Sequence, residues 1–414
     1  MIIQSIAGLL VFVVLAWVMS ENRKKVSIKT VVIGLALQLA VGMALLKLPF
    51  FRDFFLLLNH IVLSLEESTT AGTSFVFGYL GGGALPFDEK FPGSSFILAF
   101  RALPLILVIS ALSSLLFYWR ILPLIVKGFS KFLQKTMALG GAEGLGVSVN
   151  IFVGMIESPL FIRPYLENMT RSELFTLMTC GMATIAGTVM VLYASILGSV
   201  IPDVMGHILI ASIISVPAAV TVSKIMIPET GKPTSGELTP SEESVSPMDA
   251  ITKGTIQGIQ LLINIIAMLI VLVALVHLVN LLLGFLPQIS GRKVTLQLIL
   301  GCVMSPVVWL MGIPWDEALT AGSLMGTKTI LNEFIAYIDM SCLAEGALSP
   351  KSLMIMTYAM CGFANPGSLG IMIGGMGTMV PQRRNEIVSL GFRSIIAGTL
   401  ATCMTGAVVG ILKV

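Results

Sequence analysis

Two carboxylates stand where the surrounding sequence reads as membrane. Glu157 lies in Gly154-Met155-Ile156-Glu157-Ser158-Pro159, and Glu333 lies in Asn332-Glu333-Phe334-Ile335-Ala336-Tyr337. A carboxylate at that depth costs at least ~2.5 kcal/mol on insertion scales, so it faces a cavity, a partner or a substrate. About one membrane crossing later each is followed by a break rich in small and polar residues: Thr184 to Thr188 after Glu157, and Asn365 to Ser368 after Glu333. Two carboxylate segments, each followed by a broken helix at nearly the same separation, form the pattern of a secondary transporter with an internal repeat and a midplane site.

The two copies offer different chemistry. In the first, Asn150 and Thr184 bring side-chain oxygens beside the carbonyls of Val153 and Ile185. Backbone oxygens freed by a broken helix suit a hard cation such as sodium. The same Asn150 and Thr184 also serve as simple caps of broken helices, and spacing leaves both readings open. In the second copy, Glu333, Asn365 and Ser368 supply hydrogen-bonding groups with only Lys328 nearby to compensate charge. That set suits a neutral polyhydroxylated ligand, because one carboxylate accepts strong charge-assisted bonds from two hydroxyls. Phe334, Tyr337 and Phe363 are candidates for an apolar wall or for ordinary packing. Lys328 and Glu333 are alternatively a purely structural ion pair.

The elements that must position these residues follow from composition. The chain has 414 residues, 56% hydrophobic and only 11% charged, with a mean hydropathy of +0.95. That is too little charge to clothe a soluble globule of this size, so the chain is an integral membrane protein in a lipid bilayer. A formal charge of +3, spread thinly, gives a nucleic-acid partner no support. The five cysteines lack metal or redox spacing and read as buried thiols, with no cofactor expected. His60, His207 and His277 are isolated and read as hydrogen-bonded groups in a bundle.

Hydrophobic runs place eight spans: residues 2–20, Val31 to Leu46, Ala102 to Trp119, Leu174 to Pro202, Val204 to Ser223, about Leu261 to Phe285, Ser352 to Met379, and Ser394 to Leu412. The first is read as uncleaved, because its positive charge follows the apolar run instead of preceding it. Residues 47–101 are expected to be a long external connection with turns at Gly81-Gly82-Gly83 and Pro86. Residues 121–136 and 294–315 fit helices lying at the membrane interface. The Gly-rich, polar stretches 137–167 and 317–350 fit re-entrant helical hairpins, tolerated only where buried in protein or lining water. The expected fold is therefore an all-α polytopic membrane protein, about eight transmembrane helices plus two re-entrant hairpins in an inverted repeat.

The domain expectation is scaffold spans one to three in residues 1–120 and a first transport half in 121–227. A polar cytoplasmic linker follows in 228–250, then scaffold span six with its interfacial helix in 251–316, and a second transport half in 317–414. With both termini periplasmic or extracellular, most of the 25 Lys and Arg fall on the cytoplasmic side of a cell inner membrane, as the positive-inside rule requires.

Several motifs carry a resemblance. Asn150-Ile151-Phe152-Val153-Gly154, Glu157-Ser158-Pro159-Leu160, Ile162-Arg163-Pro164-Tyr165-Leu166, Ala183-Thr184-Ile185-Ala186-Gly187, Lys328 through Tyr337, Cys361-Gly362-Phe363-Ala364-Asn365 and Val380-Pro381-Gln382-Arg383-Arg384 resemble the concentrative nucleoside transporters, from about residue 100 to the carboxyl terminus. The resemblance implies a homotrimer whose protomers carry the site across the membrane on a mobile part, elevator fashion, in cation-coupled symport. It implies a nucleoside substrate with Met155, Ile156 and Glu157 toward the base, and Val189 and Phe363 lining the base pocket. Glu333, Asn365 and Ser368 would hold the ribose, and Asn150, Val153, Thr184 and Ile185 would ligate sodium. A proton is the alternative coupling ion.

One departure from the family pattern is informative. Positions commonly Gln and Thr or Ser before the first glutamate are Met155 and Ile156 here, and the pair after Asn365 is Pro366-Gly367. Apolar side chains cannot hydrogen-bond a base edge, so relaxed or purine-leaning selectivity is expected. Two other classes fit less well. An intramembrane hydrolase built on Glu157 and Glu333 lacks a metal cluster or Ser/His arrangement. A channel would need a continuous polar stripe, whereas the polar residues here concentrate in two places.

Overall fold

The computed structural model describes residues 2–88, 95–155, 157–198, 200–236, 244–288 and 293–412. Ile156 and the side chains of Glu157 and Thr188 lie outside the described residues. Described residues contain helices and no strand.

The chain opens with α1 (Ile2–Val18), α2 (Ile28–Lys47), α3 (Pro49–Phe77), α4 (Leu98–Arg101) and α5 (Leu105–Tyr118). An order of elements then occurs twice. The first pass is α6 (Ile121–Met137), the short helices α7 (Gly141–Asn150), α8 (Glu157–Phe161) and α9 (Arg163–Leu166), the tandem pair α10 (Arg171–Ala183) and α11 (Gly187–Leu197), and the long α12 (Val204–Met226). After α13 (Pro247–Leu283) the second pass is α14 (Leu296–Leu310), α15 (Ala318–Ile330) with α16 (Glu333–Ser341), the tandem pair α17 (Pro350–Met360) and α18 (Pro366–Met379), and α19 (Arg384–Leu412).

Local chemistry fixes many of these boundaries. Thr170 and Glu173 make a reciprocal capping box at the start of α10, 3.1 and 2.9 Å. Ser349, Asn332 and Asn365 cap α17, α16 and α18 through side-chain oxygens that accept backbone N–H groups. Gly154 has φ of 123°, a conformation that only glycine adopts cheaply, and it turns the chain between α7 and α8.

Among the described residues five helical segments are long and apolar enough to cross a membrane: Ile28–Lys47, Leu98–Tyr118, Val204–Met226, Pro247–Leu283 and Pro381–Leu412. The remaining expected spans fall on α1, 17 residues long, and on the two tandem pairs, each interrupted where the sequence breaks. In the second pair the break comes slightly earlier than expected. Asn365 ends it as the cap of α18 instead of beginning it.

Residues 47–101 differ from expectation. Within the expected connection stands α3, 29 residues of helix; the turn expected at Gly82 follows it, with φ of 105°. Its polar residues, among them Glu66, Glu67 and Thr70, alternate with apolar ones around the helix, which hides it from a search for continuous apolar runs.

Packing centres on α10, α12, α17 and α19, which are largely buried. Both α1 and α2 lie against α12 and α19, and α13 lies against α5. A Cβ added at Gly254 on α13 would sit 2.6 Å from the Ser110 carbonyl oxygen, so the two backbones meet without intervening side chains. The opposite side of α13 leaves Ile263, Ile270, Leu278 and Leu282 exposed.

Candidate functional site

Two helix starts and two helix breaks converge on one cavity of about 140 Å3. Its lining takes Gly154 and Met155 from the α7–α8 turn, Val189, Leu192 and Tyr193 from α11, and Glu333 and Phe334 from the start of α16. Phe363, Asn365 and Ser368 come from the α17–α18 break and the start of α18. Every described side chain expected at a substrate site is therefore here: Met155, Val189, Glu333, Phe363, Asn365 and Ser368. Ile156 and the Glu157 side chain lie outside the described residues.

Glu333 occupies the first turn of α16, where unsatisfied N–H groups favour a negative charge. It is buried, 4% exposed. The Tyr193 hydroxyl donates to one carboxylate oxygen at 2.6 Å, and Asn365 Nδ2 donates to the other at 3.1 Å. Asn365 Oδ1 in turn accepts from Ser368 N at 2.8 Å, so one amide both starts α18 and orients the carboxylate. An ionised carboxylate offers about four lone-pair positions. Two remain for ligand hydroxyls after Tyr193 and Asn365 are served.

Lys328 does not neutralise this carboxylate by direct contact. It is fully buried and its Nζ bonds Thr402 Oγ1 at 3.4 Å. The ion-pair alternative is thus replaced by a lysine tied to α19. Tyr337 donates to the Thr357 carbonyl at 2.9 Å and packs beside Tyr193, 5.2 Å between ring centroids, so it supports the site without lining it.

Sequence reasoning missed Tyr193, Asn332 and the α13 wall of Leu261, Asn264, Ile265 and Leu269. A signal for Tyr193 existed. It lies four residues after Val189, on the same helical face.

The first-half polar residues come together beside this cavity. Asn150 ends α7 and Thr184 follows α10, both 1% exposed, and Asn150 Nδ2 donates to Thr184 Oγ1 at 2.6 Å. The α7–α8 turn and the α10–α11 break abut directly, Gly187 N donating to the Phe152 carbonyl at 3.1 Å, and the α17–α18 break meets the same place from the other half, Phe363 N donating to the Thr184 carbonyl at 3.3 Å. Val153 and Ile185 belong to the two first-half breaks, Ile185 fully buried. The lone pairs these residues could offer an ion are on oxygens, which suit a hard cation and not a soft metal. The Asn150 to Thr184 bond also shows how these residues are satisfied as plain structural partners.

Of the three isolated histidines, His60 and His277 are exposed instead of hydrogen-bonded within a bundle, and His207 alone among the described residues is placed as expected. His207 Nδ1 lies 2.9 Å from the Tyr358 hydroxyl. All five cysteines are free thiols; Cys180, Cys361 and Cys403 are buried as expected, whereas Cys302 and Cys342 are exposed, and among the described residues no cluster of His, Cys, Asp or Glu could hold a metal.

Comparison with known proteins sorts the chain at once. Residues 7–80 match the family profile described as Na+ dependent nucleoside transporter N-terminus, and residues 207–410 match its C-terminus. Residues 99–200 match a profile described as Nucleoside recognition. An uncharacterized transporter, YutK of Bacillus subtilis, is 37% identical over 414 residues, 99% of each chain. The nucleoside permease NupC of Helicobacter pylori is 34% identical over 412 residues, covering 98% of this chain and 97% of that one. The solved structure of CNTnw in an inward-facing substrate-bound state aligns with a TM-score of 0.91 at 33% identity, covering 100% of this chain and 99% of that one. These proteins are transporters, not enzymes, and the chain belongs to the Na+-dependent concentrative nucleoside transporter family.

Proposed function

We propose that this protein carries nucleosides into the cell by symport with sodium, holding the ribose on Glu333, Asn365 and Ser368. One observation supports this most: the buried Glu333 carboxylate, oriented from both sides by Tyr193 and Asn365, faces a cavity whose lining is mostly apolar apart from Asn264, Asn332, Asn365, Ser368 and Tyr193. Ribose hydroxyls donate to its free lone pairs in charge-assisted bonds, and the base lies along Met155, Val189 and Phe363. Glu157 is the remaining polar contact to the base. With Met155 and Ile156 in place of hydrogen-bonding residues, both purine and pyrimidine nucleosides are accepted, or purines are preferred.

Sodium enters at the junction of the two breaks, held by Asn150, Val153, Thr184 and Ile185. Neither side chain titrates, which favours sodium over a proton. One cation moving down ~100 mV releases about 2.3 kcal/mol, and a tenfold inward gradient adds about 1.4 kcal/mol. Together these drive accumulation of several hundredfold.

The two passes of elements form inverted halves, and their hairpins and broken spans move as one elevator past a scaffold that includes α5 and α13. Spans one to three, α1, α2 and α5, belong to that scaffold in this reading, and α1 and α2 form its contact with α12 and α19. The exposed apolar side of α13 supports a homotrimer contact. Both termini lie on the outer side of a cell inner membrane.

The test is counterflow of a radiolabelled nucleoside panel in proteoliposomes, with and without a sodium gradient. Sodium-stimulated exchange of adenosine or uridine is expected. Uptake indifferent to sodium but abolished by collapse of a proton gradient would transfer the coupling role to Glu157 or Glu333. Absence of trans-stimulation would point to a channel.

A further inference from the structure

The polar groups given a role so far all belong to the elements proposed to move, but the cavity has a second wall. Leu261, Ile265 and Leu269 on α13 recur at helical spacing and face the cavity, and beside them lies Asn264. The sequence from Gly254 to Gly291 carries no charge, and an amide within such a stretch is costly unless it finds a partner or an aqueous cavity. Asn264 is exposed instead of packed into protein, and among the described residues its amide has no hydrogen-bond partner. Asn280 on the same helix is the contrast: its amide donates to Gln297 at 3.1 Å and accepts from Leu296 N at 2.8 Å.

The polar groups already assigned are unevenly distributed around the cavity. Glu333, Asn365 and Ser368 form one cluster knitted by hydrogen bonds. Met155, Val189 and Phe363 offer the base no hydrogen bond, which leaves Glu157 as the one polar contact assigned to it so far. A carboxamide presents a donor and an acceptor side by side, the arrangement that pairs with the adjacent donor and acceptor atoms on a base edge. Asn264 is the only polar side chain that α13 contributes among the lining residues.

We infer that Asn264 is a specificity-determining residue, a scaffold-side amide that hydrogen-bonds the base of the bound nucleoside. This rests on the nucleoside reading above and adds a reader of the base where Met155 and Ile156 cannot read it. Base discrimination is thus placed on a different element from ribose capture. Ribose binding and base reading then separate by mutation.

The experiment compares the unmodified protein with Asn264→Leu and Asn264→Ser in proteoliposomes. It measures KM for adenosine, inosine, uridine and cytidine, with 3′-deoxyadenosine as a ribose-side control. Removing one net hydrogen bond should change the KM ratios between bases by roughly two- to tenfold. The penalty for the missing 3′-hydroxyl should stay constant, since Glu333, Asn365 and Ser368 are untouched. Where Asn264→Leu does not purify as a monodisperse species, Asn264→Ser supplies the measurement, and equilibrium binding in detergent repeats the ranking without transport. A base ranking shifted twofold or more with the 3′-hydroxyl penalty unchanged supports the assignment. Uniform changes for every base, or ratios moved by less than twofold, overturn it. Failure of the unmodified protein to transport any of the four nucleosides would instead refute the nucleoside reading itself.

Discussion

Glu333 is held by two donors that approach opposite oxygens, the Tyr193 hydroxyl at 2.6 Å and the Asn365 amide at 3.1 Å. Glu333→Gln replaces one acceptor by an NH2 group, which must then face one of these donors. Ribose hydroxyls also lose the charged acceptor, worth roughly 1.5 to 3 kcal/mol, so affinity for every ribonucleoside should fall at least about tenfold. Equilibrium binding and uptake of a folded variant measure this, and unchanged uptake would remove Glu333 from the ribose site. Tyr193→Phe is a milder change. It leaves the carboxylate charged but frees it from one side, and an apparent KM raised by about tenfold for all bases alike is expected. A change confined to one base would place Tyr193 against the base.

At the level of elements, the close approach of α10 to the α7–α8 turn decides how Met155 is presented. A Cβ at Gly181 would lie 2.9 Å from Met155 Cβ and 2.7 Å from Met372 Cε. The methionine methyl can rotate away, whereas the Met155 Cβ moves only with its backbone. Helix propensity alone favours alanine over glycine by about 1 kcal/mol. Overpacking of a rigid contact costs about 1–3 kcal/mol, so the net effect of Gly181→Ala should be a lower melting temperature and a raised substrate KM. Thermal unfolding in detergent and uptake kinetics check both. A more stable protein with unchanged KM would show that the turn yields freely.

On the scale of the whole molecule, a belt of charge ties together segments far apart in sequence. Glu21, after α1, accepts from Arg171 at the start of α10 at 2.9 and 3.2 Å and pairs with Arg393 of α19. Arg171 also meets Glu386 at 3.5 Å. Arg383 bonds Glu386 at 2.7 Å and donates to the carbonyls of Leu166, at the end of α9, and of Met169, beyond it, at 2.9 and 2.6 Å. The hydrogen bond from Arg171, reinforced by the nearby charge of Arg393, holds the Glu21 carboxyl below its ordinary 4.5. A depressed carboxylate pKa contributes stability that is full above the unfolded value and disappears as pH falls through the folded one. Glu21→Gln should therefore lower the melting temperature slightly at neutral pH, since exposed pairs are worth about 0–1 kcal/mol. The difference from the unmodified protein should vanish in acid. An equal difference at all pH values would mean that packing, not charge, is lost.

The sequence by itself determined the membrane class, the two carboxylates set in apolar sequence and the breaks that follow them; the caps that open α10, α16, α17 and α18 are equally local, although sequence reasoning did not single them out. These are written in short-range signals: an apolar run, a glycine at a turn, or a Thr, Ser or Asn one residue before a helix. It also carried enough specific motif to name the family. Only the tertiary structure decided which polar atoms meet. Tyr193 reaches Glu333 from a different half of the chain, Asn150 finds Thr184 across two breaks, and Lys328 turns to Thr402 instead of to the carboxylate near it in sequence. Residues 49–77 form α3 although their mixed polarity concealed it, and α13 closes the cavity with Asn264 although its own sequence shows only a long apolar helix. The physical reason is common to all of these. Helix periodicity and capping act within a few residues, whereas a buried hydrogen bond depends on the packing angle and register of helices that no local pattern records.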